Sequence, residues 1–131
     1  MTYKSFLTIH AVVAMGNAAI MLIIPIQYIT FFGIDSTGSS TAFLVRFLAA
    51  ALMSYGFACW FTRNTPPSAA KQGMILGLFL SALVSLFVLL VAQLTGVLNT
   101  YGWALVLLYL LLCLDLAYYS FIKPEYIASE A

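Results

Sequence analysis

Charge is what this sequence has least of: 7% of its 131 residues are charged, and Lys and Arg together number five. An ordinary soluble domain carries about 25% charged residues, so this chain lacks the means to build a soluble surface. Five basic residues also leave no patch that could hold a row of phosphates, and we expect no nucleic-acid partner. The 64% of hydrophobic residues and a mean hydropathy of +1.07 instead predict an integral membrane protein in contact with lipid.

Groups that perform chemistry are equally scarce, with one histidine and two cysteines in the whole chain. There is no phosphate-binding loop, no GxSxG and no HExxH motif. His10, Cys59, Cys113 and Asp115 are metal-ligand types, but they fall at uneven depths and no two share a ligand spacing on one helix. One histidine also cannot supply both axial ligands of a membrane haem. We therefore expect no enzyme, no metal and no cofactor.

Four apolar runs, separated by polar or proline-containing stretches, fill most of the chain. Each run has the length of about 20 residues that a membrane span requires. Pro25, the two prolines of the 63–68 stretch, and Gly96 followed by Asn99 mark the breaks. The sequence predicts an all-α integral membrane four-helix bundle, a single domain over 1–131, with helices at about 5–25, 41–61, 70–95 and 101–122.

A cleaved signal peptide is the alternative for the first run, because Lys4 precedes it and Gly16-Asn-Ala18 is a small-x-small site. His10 interrupts the apolar region, however, and hydrophobicity continues past that site to Ile24. We expect the first helix to be retained.

The basic residues predict the orientation of the bundle. Lys4, Arg63, Lys71 and Lys123 fall at the N-terminus, in or beside the second loop, or at the C-terminus, which an even number of spans places on one side. By the positive-inside rule that side is cytoplasmic. We therefore predict a multi-pass protein of the bacterial inner (plasma) membrane with both termini in the cytoplasm. Arg46, near the outer end of the second helix, is the exception. The bias disfavours antiparallel dual-topology dimers such as small multidrug transporters and fluoride channels.

Few polar side chains lie within the predicted spans. His10 and Asn17, seven residues apart, share one face of the first helix. His10 and Asp115 enter the membrane from the same side to a depth of about 10 Å, so a hydrogen bond or ion pair between them is open. Such a pair is either a proton-responsive site or a structural contact between helices, and the second is the commoner role. Asn17 is expected to bond to a facing helix, with these candidates: Ser81, Ser85 and Tyr55.

Arg46 enters the membrane from the opposite side. Its side chain can extend outward toward Asp35 or bond to Gln93. It is interpreted as an anchor in the outer leaflet, or as a contact for an anion or lipid headgroup at the mouth of a cavity.

The third helix carries a stripe of small residues at four-residue spacing: Gly73, Gly77, Ser81 and Ser85. In lipid such stripes let two backbones approach closely. We expect tight packing inside the bundle, with homodimerisation through the same face as the alternative.

The string Val45-Arg-Phe-Leu-Ala-Ala-Ala-Leu-Met-Ser-Tyr-Gly56, together with Phe6-Leu-Thr-Ile-His-Ala, resembles the DoxX-like group of small bacterial four-helix membrane proteins. Some members are similar to the membrane subunit of a thiosulfate:quinone oxidoreductase. The resemblance implies work beside a quinone pool, and Arg46 is the one residue to which a role in the group carries over.

Two functions follow from these observations. The first is a non-enzymatic accessory or interaction subunit, with lipid and a protein partner or a second copy as its contacts. The alternative is a small permease or a lipid- or quinone-binding protein that uses Arg46 and the His10/Asp115 pair.

Overall fold

The computed structural model describes residues 2–35 and 38–124, which form helices joined by turns. The helices are α1 (Tyr3–Ile23), α2 (Pro25–Phe31), α3 (Ser39–Thr62), α4 (Ala69–Leu94) and α5 (Gly102–Ala117), and a π-helical turn, Tyr118–Ile122, continues α5. Four segments are long and apolar enough to cross a membrane, namely α1, α3, α4 and α5 with its π-helical turn. The predicted all-α membrane bundle is confirmed, while its orientation in the bilayer stays a prediction.

The first span ends in a break at Pro25. Proline has no backbone N–H, so it cannot continue the hydrogen bonding of α1. Ile24 leaves the helical conformation, with φ −127° and ψ 60°, and Pro25 becomes the first residue of α2. The sequence analysis placed a break at Pro25, and in the structure α1 ends before it and a new short helix begins there.

The four spans are arranged as two hairpins. α1 packs along α3, α4 packs along α5, and the two hairpins approach each other much less closely. Gly56 makes the α1/α3 contact possible, because a Cβ at this position would lie 2.5 Å from Met15 Cγ and 3.3 Å from the Ala11 carbonyl oxygen. In lipid, where burial of apolar surface gives little drive to association, such close backbone packing holds helices together.

One end of the bundle, here called the basic end, holds all four basic residues of the orientation prediction: Lys4, Arg63, Lys71 and Lys123. The two hairpins are joined here by Tyr3, whose hydroxyl donates to the Lys123 carbonyl at 2.7 Å and lies 2.9 Å from the Tyr119 carbonyl. The Tyr119 ring stacks on Phe6 at 4.3 Å. These bonds provide partners for carbonyls at a helix C-terminus, which the helix itself leaves unpaired.

The hairpins are joined a second time at the opposite end, here called the far end. The Asn99 backbone N–H donates to the Phe32 carbonyl at 2.8 Å, and its side-chain amide donates to the Phe31 carbonyl at 2.8 Å. Gly33 adopts φ +88°, and a Cβ there would lie 2.9 Å from Asn99 Cβ. A side chain at Gly33 would therefore be strained in itself and would push Asn99 away.

The outward surface between the two ends is apolar. It exposes large hydrophobic side chains on every span, for example Ile23, Phe47, Phe87 and Leu111. A soluble monomer rarely exposes so much contiguous apolar surface, whereas a bilayer covers it with acyl chains.

Candidate functional site

A cavity lies between the two hairpins in the middle of the bundle, away from the two ends where hydrogen bonds join them. It has two adjoining lobes, one of about 180 Å³ toward the basic end and one of about 360 Å³ toward the far end. Both lobes share five lining residues: Asn17, Leu48, Leu52, Ser85 and Tyr109. The lobes therefore form one elongated space along the bundle axis.

Most of the cavity wall is apolar, and its polar groups are few. His10, Tyr55 and Ser81 line only the basic-end lobe, and Tyr28 lines only the far-end lobe. An apolar wall with a small number of polar groups is the usual composition of a small-molecule site.

His10 is fully buried at the basic end of the cavity. Its Nδ1 lies 2.9 Å from the Tyr55 hydroxyl, and its ring lies edge-on to Phe6, with 4.8 Å between the ring centroids. Nδ1 and Tyr55 Oη share one proton, and which of the two donates depends on the tautomer of the ring. This bond joins α1 to α3 inside the membrane.

The other ring nitrogen of His10 faces Asp115. Nε2 lies 3.5 Å from Asp115 Oδ2, and Nε2 has no closer hydrogen-bond partner among the described residues. The Asp115 side chain is 31% exposed, whereas that of His10 is fully covered. The two residues that the sequence analysis considered as a pair are thus brought together, and a small rotation of the partly exposed carboxyl group would shorten the contact to hydrogen-bond length.

Tyr55 is the residue of this group that sequence reasoning did not place. The sequence analysis considered it only as a partner for Asn17, whereas its hydroxyl bonds to His10. Asn17 instead hydrogen-bonds to Tyr28 of α2. Burial raises the pKa of the Tyr28 phenol, and the bond to Asn17 opposes that shift. The sequence did contain an indication of this contact. Tyr55 lies seven residues from the basic-end terminus of its helix, as do His10 in α1 and Asp115 when the π-helical turn is counted with α5.

Arg46 lies outside the cavity wall. Its Nε donates to the Leu22 carbonyl at 3.2 Å, near the point where Pro25 interrupts α1. Carbonyls in the last turn of a helix lack an intrahelical partner, so Arg46 compensates for the break. Because Arg46 is exposed, the role of outer-leaflet anchor stays open to it.

The stripe on α4 does not pack as expected. A Cβ built on Gly73 or Gly77 would meet no atom within 4 Å among residues 2–35 and 38–124, so neither glycine packs tightly against that part of the chain. Ser81 and Ser85 lie against the cavity. Gly56 does close a helix contact, since the α3 backbone there runs directly against α1.

The cavity opens sideways between α3 and α4. Ala51 on α3 and Ser81 on α4 both line it, and both are exposed at the bundle surface. Toward the basic end the gap is closed by Thr62, whose hydroxyl donates to Met74 Sδ at 2.8 Å. The gap, here called the α3/α4 opening, therefore leads from the lipid into the middle of the bundle.

The two cysteines contribute no covalent link. Cys59 and Cys113 are both free and buried.

Compared with known proteins, the chain matches no protein-family model, no curated protein and no solved structure. The resemblance to the DoxX-like group stays a prediction.

Proposed function

We propose that this chain is a non-enzymatic protein of the bacterial inner membrane, with both termini in the cytoplasm, that binds a small neutral amphiphile of the bilayer. The observation that carries the proposal is the cavity between the hairpins, with its larger lobe of about 360 Å³. Ligand sites in proteins usually occupy about 300–1,000 Å³.

The distribution of polar groups supports an amphiphile over a wholly apolar ligand. Tyr55 and His10 stand at the basic end of the cavity, and the far-end lobe is lined mainly by aliphatic and aromatic carbon. A polar head would bond near Tyr55, and an apolar chain would extend toward Ile29 and Leu98. Neutral lipids such as monoacylglycerols and quinones both have this build, with a neutral oxygen-bearing head and a hydrocarbon chain.

The α3/α4 opening supports entry from the bilayer. Ser81 and Ala51 flank it at the bundle surface and are small, so they leave room between the two helices. A ligand that enters from lipid stays in hydrocarbon for its whole path and avoids the cost of desolvating a polar route. This route suits a lipid-soluble ligand and gives no aqueous path for an ion.

The test is a binding measurement on purified protein in phospholipid vesicles, with short-chain ubiquinone and monoolein as separate probes. Ser85 lines both lobes, so Ser85→Phe places a ring in the space between them. We expect this variant to bind the active probe at least about tenfold more weakly, because the ring occupies the site. Leu83→Phe on the same helix is the matched control, since Leu83 is exposed to lipid.

Equal binding by wild type and Ser85→Phe would contradict the proposal, and so would saturable binding of neither probe. Arg46→Ala is expected to bind the probe within about twofold of wild type, because Arg46 does not contact the cavity. A loss of binding in Arg46→Ala would return this residue to the site.

An accessory subunit is the second candidate, and the open face at Gly73 and Gly77 favours it. A partner helix could pack there closely, as helices do on glycine in lipid. Its test is purification of the complex from native membranes. Gly77→Leu should lose a bound protein that Gly16→Leu retains, because Gly16 is also a glycine with no atom within 4 Å of a built Cβ. The same protein bound equally to both variants would argue against this face.

A further inference from the structure

Three side chains on three helices form a continuous polar line from the edge of the bundle to the cavity. Asp115 on α5 is partly exposed, His10 on α1 is fully covered, and Tyr55 on α3 lines the cavity. The joining distances are 3.5 Å between Asp115 Oδ2 and His10 Nε2, and 2.9 Å between His10 Nδ1 and Tyr55 Oη. Each link passes through a different nitrogen of one imidazole ring.

An imidazole in this position couples its two neighbours. When the ring is neutral it carries one N–H, and the second nitrogen can only accept. With Asp115 ionised, the N–H belongs on Nε2, where it faces the carboxylate. Nδ1 then accepts the proton of the Tyr55 hydroxyl, and Tyr55 offers the cavity only lone pairs.

Addition of one proton to the His10/Asp115 pair reverses the direction in which the hydrogen bonds along these three side chains donate. If the proton resides on the carboxyl group, the acid donates to Nε2 and the ring proton belongs on Nδ1. If it resides on the ring, both nitrogens carry protons. In either case Nδ1 donates to Tyr55. The Tyr55 hydroxyl keeps its proton and is free to donate it in a hydrogen bond to a group in the cavity.

We propose that Asp115, His10 and Tyr55 form a proton-controlled selector for the head of the cavity ligand. In the state without the added proton the cavity binds a hydroxyl head, which donates to Tyr55. In the state with it Tyr55 donates into the cavity, so the cavity also binds a carbonyl head, while a hydroxyl head can still bind because its oxygen accepts. This inference rests on the proposed function for its ligand, but the state of the histidine ring does not depend on any ligand.

The surroundings of the line are neutral polar groups. Cys59 hydrogen-bonds to Tyr55 from its own helix, Tyr109 and Cys113 face Tyr55 from α5, and Tyr119 faces Asp115. From α4, Lys71 directs its ammonium group to the Thr65 carbonyl at 3.0 Å, at the basic end.

The first experiment observes the ring directly. His10 is the sole histidine of the chain, so ¹⁵N-histidine labelling gives the signals of this one ring. We expect Nδ1 to be unprotonated at about pH 9 and protonated at about pH 3, in vesicles without ligand, because the proton is shared by the coupled pair. In Asp115→Asn the shift should move or vanish, since the carboxylate that orients the ring is gone. An Nδ1 that keeps one protonation state across this range would overturn the selector and leave the proposed function standing.

The second experiment measures the choice of head with a matched pair of probes, 2-undecanol and 2-undecanone. We expect the ratio of their affinities to shift toward the ketone by about three- to tenfold between about pH 9 and about pH 3, which corresponds to the contribution of one hydrogen bond. Tyr55→Phe keeps the shape of the cavity and should hold the ratio constant. Tyr101→Phe, at the exposed far end, should behave as wild type.

The possible failures are distinguishable. Binding of both probes with a ratio that does not change with pH would contradict the selector alone. A pH-dependent ratio that survives in Tyr55→Phe would assign the choice to another group and also contradict it. No saturable binding of either probe, together with none of ubiquinone or monoolein, would contradict the proposed function.

Discussion

The α1/α3 contact and the α3/α4 opening lie on two different sides of α3. Small residues allow close helix packing at the contact and border a cavity at the opening. On one side Gly56 runs directly against Ala11 and Met15, and no Cβ fits between them. On the other, Ala51 and Ser81 border a cavity, and one turn before Ser81 on α4 a Cβ built on Gly77 would meet no atom of the described residues within 4 Å. Small residues in a membrane helix therefore permit close approach without requiring it.

The comparison also explains how a cavity persists between two hairpins. Contacts are concentrated within each hairpin and at the two ends, where Tyr3 and Asn99 carry hydrogen bonds from one hairpin to the other. Lipid gives no hydrophobic pressure that would collapse the middle, because acyl chains are as apolar as the side chains they would displace.

The largest effect is expected from a side chain at the tight contact. Gly56→Leu should lower the free energy of unfolding in detergent by about 1–3 kcal/mol, because overpacking forces α1 and α3 apart. Gly77→Leu is the control on the open side and should leave the free energy of unfolding unchanged or raise it by up to about 1 kcal/mol, because leucine favours a helix more than glycine does. If Gly56→Leu does not fold, Gly56→Ala should show a smaller loss in the same direction. Equal effects at both glycines would remove the distinction between the two sides.

A smaller effect is expected where the hairpins are joined at the far end. Asn99→Ala removes two hydrogen bonds of the side chain. One is donated by Nδ2 to the Phe31 carbonyl, and the other is accepted by Oδ1 from the Tyr101 N–H at 3.0 Å. We expect a loss of about 1–2 kcal/mol in the free energy of unfolding. Thr95→Ala is the matched control, because the Thr95 hydroxyl bonds only within its own helix, to Val91 and Ala92. Unchanged stability in Asn99→Ala would show that the side-chain bonds of Asn99 do not help to hold the hairpins together, since the backbone bond to Phe32 remains in this variant.

The smallest effect sharpens the comparison on the open side. If lipid covers Gly77, Gly77→Ala should raise the free energy of unfolding by about 0.5–1 kcal/mol, because alanine loses less backbone freedom in a helix. If a second copy packs there, the same change should instead weaken association. The fraction of dimer in vesicles, measured by single-molecule photobleaching, separates the two outcomes.

The candidate site could be predicted only in part. The depths of His10 and Asp115 follow from their distance to the helix ends, so their possible contact was visible in the sequence. The bond from His10 to Tyr55 was not, because it depends on the register between α1 and α3. That register follows from Gly56 lying against Ala11, which brings the preceding residue, Tyr55, beside His10. The sequence analysis instead gave the packing role to Gly73 and Gly77, whose spacing is regular but whose surroundings are open.

The sequence by itself determined the number of spans, their approximate limits and the gathering of basic residues at one end. These properties are local, since they depend on the length of each apolar run and on breaks such as Pro25. The tertiary structure alone decided which helices pair, that a cavity separates the hairpins, and that Asp115, His10 and Tyr55 align toward it. In lipid, helix pairing depends on the fit of surfaces, and hydrophobicity is the same on every side of these helices.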